Sequence, residues 1–523
     1  MFHKSLLVMA CGLCLAASLN SQAVKVVIVH DNDTHSQLYP FGPQDTWGGL
    51  ARRATLIKEL RRQNKNVLVL NAGDVFVGST GFNKFFGYPE LKLMDELYDV
   101  MALGNHEFDL GLDMLTSCLS GSIAGGSPVQ MSILCANIDL TSQPNLDPMV
   151  SPSVIKNVGG VRIGIFALIT TDAEHYSAAV HGLLQDPLTV AAATASSLKK
   201  AGCDAVICLS HSGYLVDRYY LSAISDIDVI IGGHSHDLVP AETDNGTIVV
   251  QAGEAGLHLG ELTLAIDPGK TPKVSLVRHD LHKIDATIHK DPVVLQTLNG
   301  LRAAIVRDPR FGPMLTKRIG RADWLHSKTW TATSPYRDTA LGNLVMDGVK
   351  RAVEIKNFPV DCALGANGYL GHHLYAGKVT GDDLLRCLPY GFDPASGRGF
   401  KIKVVQLYGL QLMAGLEYSV SQVEYTRDLC LEVSGLEFKY DSSKPATQRV
   451  DYSSIKIAGA PINPYGLYWV ALNEQLAAFL KTLGMIPNDE KQTGILEYFA
   501  VSDYIGELGH LRYRSTGRVQ DTH

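Results

Sequence analysis

The chain has 523 residues, of which 46% are hydrophobic and 19% are charged. This composition is typical of a globular protein and excludes a disordered or fibrous one, and the length predicts two or more domains. The net charge of -7 is mild and no long run of one sign is present, which argues against a nucleic-acid polymer as the main partner.

The first 23 residues have the features of a secretory signal. Lys4 precedes an apolar stretch from Leu6 to Leu19, and the small residues that end at Ala23 fit a signal-peptidase site. The alternative is a membrane anchor, but the stretch is short for a helix that spans a bilayer. We expect cleavage after Ala23 and no transmembrane segment in the mature protein. The protein would then be secreted, and periplasmic in a Gram-negative bacterium.

The first predicted strand runs directly into a polar segment. The apolar residues from Val26 to Val29 are followed by HDNDTHSQL, which contains Asp33 and His35. Residues i and i+2 of an extended chain share a side, so both side chains can face one site. A polar turn would explain this segment alone, and the interpretation therefore depends on whether the pattern recurs.

The same pattern recurs four times along the next 200 residues, with helix-like stretches such as GGLARRATLIKELRRQ between the strands. Strands that alternate with helices predict an α/β layered domain, in which the strand ends meet at one edge of a sheet. The four further strand ends carry Asp74 in NVLVLNAGD, Asn105, His106 and Asp109 in VMALGNHEFD, His211 in AVICLSHSG, and His234 and His236 in DVIIGGHSHD.

Five strand ends that all carry Asp, Asn or His predict a metal site, because turn chemistry alone would favour Gly, Pro and Ser as well. Nitrogen and oxygen ligands without a thiolate suit first-row divalent ions, and the candidate ligands are too many for one ion. Two ions that share a carboxylate fit better, and such a pair can hold a nucleophile and an oxyanion substrate. His106 and Asp109 follow Asn105 closely, and we expect them to form a hydrogen-bonded pair beside the ions.

In this order, NDTH, GD, GNHEFD, SHSG and GGHSH resemble the motifs of the calcineurin-like dinuclear metallophosphoesterases. The best match is the secreted 5'-nucleotidase branch, which includes the UDP-sugar hydrolase/5'-nucleotidases. The resemblance implies that His106 stabilises the transition state and that Asp109 orients it. It also implies two metal sites that share Asp74: one formed by Asp33, His35, Asp74 and His236, the other by Asp74, Asn105, His211 and His234.

The resemblance implies the fold of the whole chain as well. We expect a layered β-sandwich metallophosphoesterase domain over residues 24–285, a linker helix region over 286–330, and an α+β substrate-binding C-terminal domain over 331–516. The stretch DPVVLQTLNGLRAAIV looks like the linking helix. The stretches YRDTALGNLVMDGVK, SGLEFKYDSSKPATQRV and YWVALNEQLA resemble parts of the second domain.

The arginines that bind substrate in the family are altered here. The family loop Asn-Gly-Gly-x-x-Arg falls on ANGYLGHH, which keeps Asn367 but has His372 at the arginine position. A further family arginine falls on Pro335, just ahead of Arg337. An arginine fork matches phosphate geometry and a histidine does not. The resemblance leaves Asn367 and Arg337 as candidate substrate residues and predicts an altered specificity.

Of the two aromatic residues that stack on the base in the family, one matches Tyr390 in LPYG. The other position falls near Gln475, within YWVALNEQLA. A base held by one ring loses roughly 1–3 kcal/mol of stacking. We therefore expect Tyr390 to bind the base and discrimination between purines and pyrimidines to be weak.

The function that these residues indicate is metal-dependent phosphoester hydrolysis, with a nucleoside 5'-monophosphate as the small-molecule substrate. Phosphate would be released by in-line attack of a metal-bound hydroxide. Two divalent ions are implied as cofactors, and Zn, Mn, Mg and Ca all fit the ligand types. The alternatives on the same scaffold are a sugar-phosphate or nucleotide-sugar hydrolase, a cyclic-nucleotide phosphodiesterase and a thiosulfohydrolase. A non-catalytic binding protein would be expected to have lost a ligand, and none is lost.

Overall fold

The computed structural model describes residues 23–523, so the predicted signal sequence lies outside the described residues apart from Ala23. Within the described part of the chain, no helix combines the length and the apolar character that crossing a bilayer requires.

The N-terminal half alternates strands and helices, as the sequence predicts. Its strands form two six-stranded sheets. In chain order the elements are β1 (Val24–Asp31), α1 (Leu50–Gln63), β2 (Val67–Asn71), α2 (Thr80–Phe85), α3 (Tyr88–Asp95), β3 (Val100–Ala102), α4 (Leu112–Leu119), β4 (Ser132–Leu134), β5 (Ser153–Val158), β6 (Val161–Ile169), α5 (Ala173–Tyr176), α6 (Pro187–Lys200), β7 (Ala205–His211), α7 (Tyr214–Tyr219), β8 (Val229–Gly232), β9 (Leu238–Asp244), β10 (Thr247–Ala252), β11 (His258–Ile266) and β12 (Val274–Lys283).

The two sheets pack face to face. The first has the strand order β12-β11-β1-β2-β3-β4 and the second β5-β6-β7-β8-β10-β9. Ile28 and Leu262 of the first sheet and Ile207 and Ile231 of the second belong to one buried apolar core. The helix α1 covers the outer face of the first sheet and α6 that of the second. The predicted layered sandwich is confirmed, and burial on both faces explains the continuous apolar runs of the central strands.

Parallel pairing brings the polar strand ends together. The strands β1, β2 and β3 are parallel neighbours in the first sheet, and β6, β7 and β8 in the second. The segments that follow β1, β2, β3, β7 and β8 therefore leave the sandwich at the carboxyl ends of their strands, where ligands gather in α/β sheets.

The predicted linking helix is α8 (Pro292–Arg307), and the short helix α9 (Gly312–Thr316) follows it. Asp291 caps α8, since its carboxylate accepts hydrogen bonds from the backbone N–H groups of Val293 at 3.1 Å and Val294 at 3.0 Å. Proline at the first helical position fits, because its missing N–H would have no partner there.

Asp291→Ala is expected to lower the free energy of unfolding by about 1 kcal/mol, because it leaves two helix N–H groups without an acceptor. Asp291→Asn is the matched control. It keeps the cap but removes the charge that pairs with Lys58 at 2.7 Å, and an exposed ion pair contributes little. Chemical denaturation of the two variants separates the roles, and an equal loss in both would show that the ion pair matters and the cap does not.

The C-terminal half forms three further sheets with strand orders β15-β13-β23, β17-β14-β21-β16-β22 and β20-β19-β18-β24. The α+β architecture is confirmed. In chain order the elements are β13 (Arg318–Ala322), α10 (Ala340–Ile355), β14 (Cys362–Ala366), β15 (Gly377–Thr380), α11 (Gly381–Cys387), β16 (Lys401–Tyr408), α12 (Gly409–Ser419), β17 (Leu431–Ser434), β18 (Leu436–Tyr440), β19 (Val450–Ile457), β20 (Ala460–Pro461), β21 (Leu467–Asn473), α13 (Glu474–Thr482), β22 (Asp489–Leu496), α14 (Glu497–Leu508), β23 (His510–Leu511) and β24 (Val519–Asp521).

The sheets of this domain extend past both boundaries expected from the sequence. The strand β13 lies within the segment 286–330, yet it pairs with β15 and β23. At the other end β24 lies beyond residue 516 and pairs with β18.

The two domains are in direct contact through α2. The hydroxyl of Thr80 donates to the carboxylate of Asp382 at 2.5 Å, and the amide of Asn83 donates to the carbonyl of Gly397 at 2.6 Å. The C-terminal domain is therefore seated on the face of the sandwich from which the ligand-bearing segments emerge.

Candidate metal centre

Five of the seven predicted ligands have a left-handed backbone. This conformation is uncommon for residues other than glycine and persists only where the surrounding structure enforces it, often at functional sites. Here hydrogen bonds join the loop after β1 to the loop after β2. The N–H of Asp33 donates to the carbonyl of Gly73 at 2.9 Å, and the N–H of His35 donates to that of Asp74 at 3.1 Å. The φ angles are 47° at Asp33, 45° at His35, 53° at Asp74, 73° at His234 and 60° at His236.

The first ligand cluster consists of Asp33, His35 and His236, whose ligand atoms all lie within 4.8 Å of one another. The Nε2 atoms of His35 and His236 are 3.1 Å apart, and Nε2 of His236 lies 3.4 Å from Oδ1 of Asp33. Asp33 is fully buried and His35 almost so.

The other ring nitrogens show which atoms of this cluster are free to bind an ion. Nδ1 of His35 lies 3.3 Å from the carbonyl of Phe76, and Nδ1 of His236 lies 2.8 Å from the carboxylate of Glu254. Both partners only accept, so each Nδ1 carries a proton, and each Nε2 would present its lone pair to a bound ion. Two ring nitrogens and a carboxylate oxygen that converge at these distances form a site of the kind that a cation occupies. The donor set thus fits a divalent ion.

The second ligand cluster consists of Asp74, His211 and His234, again with ligand atoms within 4.8 Å of one another. Nδ1 of His211 donates to the carbonyl of Ala72 at 2.7 Å, which leaves Nε2, 3.0 Å from Oδ2 of Asp74, as the nitrogen that would bind an ion. The side-chain oxygen of Asn105 lies 3.0 Å from Nδ1 of His234. The four predicted ligands of the second ion are therefore together.

Asp74 belongs to the second cluster and also contacts the first, because its backbone carbonyl accepts the N–H of His35 at 3.1 Å. Its Oδ2 faces His211, and Nε2 of that histidine is 3.9 Å from Oδ1 of Asp33 in the first cluster. Burial alone would raise the pKa of Asp74, but His211 and His106 hold that pKa well below its usual value. Only glycine fits beside it, because a Cβ at Gly104 would come within 2.3 Å of its Oδ1. The arrangement suits a shared carboxylate, and the bridge itself stays a prediction.

The expected hydrogen bond between His106 and Asp109 is present. Nδ1 of His106 donates to Oδ2 of Asp109 at 2.9 Å, which leaves Nε2 facing the clusters, 3.9 Å from Oδ2 of Asp74. Burial opposes protonation of His106, but the carboxylates of Asp109 and Asp74 outweigh it and raise its pKa to about 9. The two carboxylates thus favour a protonated His106, whose Nε2 can donate toward the ligands.

Tyr390 of the C-terminal domain covers the His106 side chain. The two rings are stacked, with centroids 4.9 Å apart and planes inclined by 16°. Tyr390 was expected to lie under a substrate base. In this arrangement its ring contacts the imidazole, and binding of a base by Tyr390 stays a prediction.

Tyr390→Ala is expected to lower kcat/KM for every phosphomonoester about 2- to 10-fold, because the aromatic contact with His106 is worth about 0.5–1.5 kcal/mol. Tyr390→Phe keeps the ring and should stay close to wild type. A nucleoside monophosphate and an aryl phosphate are compared. A loss confined to the nucleotide would show that the ring serves base binding alone.

The other two predicted substrate residues are held within the C-terminal domain. The amide of Asn367 donates to the backbone carbonyl of Lys328 at 2.9 Å and to the carboxylate of Glu432 at 2.8 Å. The guanidinium of Arg337 pairs with Asp521 at 3.1 Å. Substrate roles for both residues stay predictions.

His372, at the family's arginine position, is buried and packs edge-on against Phe41 of the N-terminal domain, with ring centroids 5.0 Å apart. Burial lowers its pKa to about 3, so the ring is neutral at physiological pH. It therefore does not replace the missing arginine charge.

Two carboxylates that hold the ligand residues in place, Glu254 and Glu107, were not predicted from the sequence. Glu254 follows the apolar run TIVVQA, so the strand-end pattern that revealed the other residues would also have found it. Glu107 lies inside GNHEFD without a distinguishing signal, and it fixes the backbone around both clusters. Its carboxylate accepts N–H groups from Asp74 at 3.0 Å, Val75 at 2.8 Å, Phe76 at 3.0 Å and Gly104 at 2.7 Å.

Two family profiles match the chain. The profile described as calcineurin-like phosphoesterase matches residues 26–238, and the profile described as 5'-nucleotidase, C-terminal domain, matches residues 318–479. Together they span most of the chain, and the first contains all the predicted metal ligands.

Characterised proteins and solved structures are similar over nearly the whole chain. Snake venom 5'-nucleotidase from Naja atra is 28% identical, covering 95% of this chain and 98% of the relative. A 5'-nucleotidase precursor from Thermus thermophilus superposes with a TM-score of 0.84 at 28% identity, covering 95% of this chain and 99% of that one. A trifunctional nucleotide phosphoesterase from Bacillus subtilis is 27% identical over 95% of this chain, which spans only 35% of that relative.

Proposed function

The chain belongs to the calcineurin-like phosphoesterases that carry a 5'-nucleotidase C-terminal domain, and we propose that it releases phosphate from nucleoside 5'-monophosphates. The observation that carries the proposal is the pair of ligand clusters, with Asp74 in the second of them, beside the hydrogen-bonded pair His106–Asp109. Both are covered by a second domain of the type found in 5'-nucleotidases.

When bound, a pair of divalent ions supplies an activated water for attack on phosphorus and positive charge near the phosphoryl oxygens. The chain's own contribution is electrostatic and geometric. Asp109 holds the imidazole of His106 so that Nε2 points to the space beside Asp74, where it donates to charge that develops in the transition state. Tyr390 packs on the same imidazole and limits its motion.

Substrate selection belongs to the C-terminal domain in this proposal. Because His372 is neutral and buried, the charge of one family arginine is absent from its position, and Pro335 cannot supply the charge of the other. Most of the binding energy would then come from the phosphate, which all phosphomonoesters share. We therefore expect nucleoside 5'-monophosphates to be preferred, with little discrimination among bases.

The test is a phosphate-release screen of the purified mature protein with Mn, Zn, Mg and Ca. The substrates are four nucleoside 5'-monophosphates, a nucleotide sugar, a sugar phosphate, a cyclic nucleotide and an aryl phosphate, with thiosulfohydrolase activity assayed separately. The proposal expects the highest kcat/KM for the monophosphates. A higher value for another class would replace the substrate assignment, and no hydrolysis of any ester with any ion would contradict the enzyme itself.

We also propose that the protein is exported, on the strength of the N-terminal sequence and of relatives described as snake venom enzymes. Expression of the full chain in a secreting host should then give a mature protein that starts at Val24, within a few residues. N-terminal sequencing checks this, and exported material that still begins with Met1 would contradict it.

A further inference from the structure

Lys328 of the C-terminal domain reaches across the domain boundary. Its ammonium lies 3.4 Å from Oε2 of Glu254, in the N-terminal domain, and donates to the carbonyl of Gly371 at 2.7 Å. The side chain is 16% exposed and that of Glu254 17%, so the pair is shielded from solvent more than a surface ion pair is.

Glu254 connects this cation to the first ligand cluster. The same Oε2 atom lies 2.8 Å from Nδ1 of His236, whose Nε2 faces Asp33 at 3.4 Å. A carboxylate on the far nitrogen of a ligand histidine fixes the ring's tautomer and orientation, and losing it typically weakens ion binding 10–100-fold. Lys328 therefore acts on the residue that orients a ligand.

The other contacts of Lys328 tie it to the segment that resembles the family's substrate loop, residues 367–373. Its backbone carbonyl accepts from the amide of Asn367 at 2.9 Å, and its N–H donates to Nδ1 of His373 at 3.1 Å. The loop glycine that binds its ammonium, Gly371, is packed so tightly that an added Cβ would lie 2.5 Å from Pro389.

Pro389 is followed by Tyr390, which stacks on His106. The loop thus contacts two segments that reach the metal centre. One carries Lys328, which points toward Glu254 and His236, and the other carries Tyr390, which stacks on His106. Both contacts exist only while the C-terminal domain is seated as it is here.

From these contacts we propose that Lys328 is a positioning residue through which the C-terminal domain stabilises the ion site formed by Asp33, His35 and His236. Its ammonium holds Glu254 against His236 when the domain is seated. Moving the domain away removes that cation and loosens the ring. The affinity of this one site is therefore coupled to the position of the substrate loop.

The test is calorimetric titration of metal-free full-length mature protein with Mn²⁺, which reports ion binding whatever ester is cleaved. His35→Ala first identifies which binding step belongs to the cluster. Lys328→Met is expected to weaken that step about tenfold, at the lower end of the range for groups that support a ligand, and to leave the other step unchanged. Lys328→Arg keeps a cation in place and should retain most of the affinity.

Two controls separate positioning from general damage. Lys378→Met removes an exposed cation of the same domain, whose ammonium contacts only the carbonyl of Thr316 at 3.4 Å among the described residues, and both steps should remain as in wild type. The double variant Lys328→Met/Glu254→Gln should bind no more weakly than Glu254→Gln alone, because Lys328 acts through Glu254.

Three results would overturn the proposal. Lys328→Met could bind both ions as wild type does, it could weaken both steps equally, or the two substitutions could add fully in the double variant. Thermal unfolding of each variant accompanies the titration, and an unstable Lys328→Met is replaced by Lys328→Gln under the same criteria. A protein that binds both ions as expected yet hydrolyses no nucleotide would contradict the proposed function and leave the role of Lys328 intact.

Discussion

Asp74→Asn is expected to abolish phosphoester hydrolysis and to weaken the binding of both ions. The carboxylate lies 3.0 Å from Nε2 of His211 and 3.9 Å from Nε2 of His106. The backbone carbonyl of the same residue accepts the N–H of His35, in the first cluster, at 3.1 Å. Asparagine has the same size but lacks the charge, so the second ion loses the one carboxylate of its cluster, and the first ion keeps Asp33 but loses the shared one. Since even a group that only supports a ligand is worth 10–100-fold in affinity, loss of the shared ligand should exceed about 100-fold for each ion.

Metal content and kcat of Asp74→Asn are measured beside those of His35→Ala, which serves as the matched control. His35 belongs to one cluster only, so its removal should weaken one ion and spare the other. If Asp74→Asn retains both ions and the wild-type rate, the shared-carboxylate assignment is wrong.

His106→Ala should lower kcat about 10²–10³-fold, the effect of removing one preorganised donor to transition-state charge. Both ions should remain bound, because His106 is outside both ligand clusters and its Nε2 is 3.9 Å from the nearest atom of Asp74. KM should change little, since the interaction forms chiefly in the transition state. Steady-state kinetics and metal analysis of the same preparation check both expectations.

Asp109→Asn is the control for this second prediction. It leaves His106 in place but removes the carboxylate that accepts its Nδ1–H at 2.9 Å and that helps to raise its pKa. kcat of Asp109→Asn should therefore fall measurably, but less than kcat of His106→Ala. Loss of an ion from His106→Ala would show that this histidine is a ligand and not a transition-state donor.

The ligand-bearing strand ends could be predicted because two simple features determine them: the apolar runs that form buried strands and the parallel pairing of those strands. Apolar runs such as Val26–Val29 form buried strands, and parallel pairing brings the ends of those strands to one edge. Residue chemistry then selects the metal-competent side chains. This reasoning brings together Asp33, Asp74 and His211 without any knowledge of the loops between them.

The loop geometry at the site was not predictable in the same way. Nothing in the sequence marks Asp33 or His236 as left-handed, since neither is a glycine. Their conformation is imposed by contacts between loops that are far apart in the chain, such as the bond from the N–H of His234 to Asp33 at 3.0 Å. Long-range contacts of this kind override local backbone preference.

The second domain shows the same limit of pattern reasoning. A motif position predicts a residue type, but its partners depend on how the domains meet. Tyr390 matches a base-stacking position, but the motif gave no sign that its ring would stack on His106. Lys328 matches no motif, yet its ammonium lies 3.4 Å from Glu254, the carboxylate that orients His236.

The most direct test of the two-ion account is stepwise reconstitution of the metal-free mature protein. Phosphate release from a nucleoside 5'-monophosphate and the number of bound ions are followed together as a divalent ion is added. The account predicts that two ions bind per chain and that full activity appears only when the second site fills. Full activity with no ion, or with a single ion per chain, would contradict it.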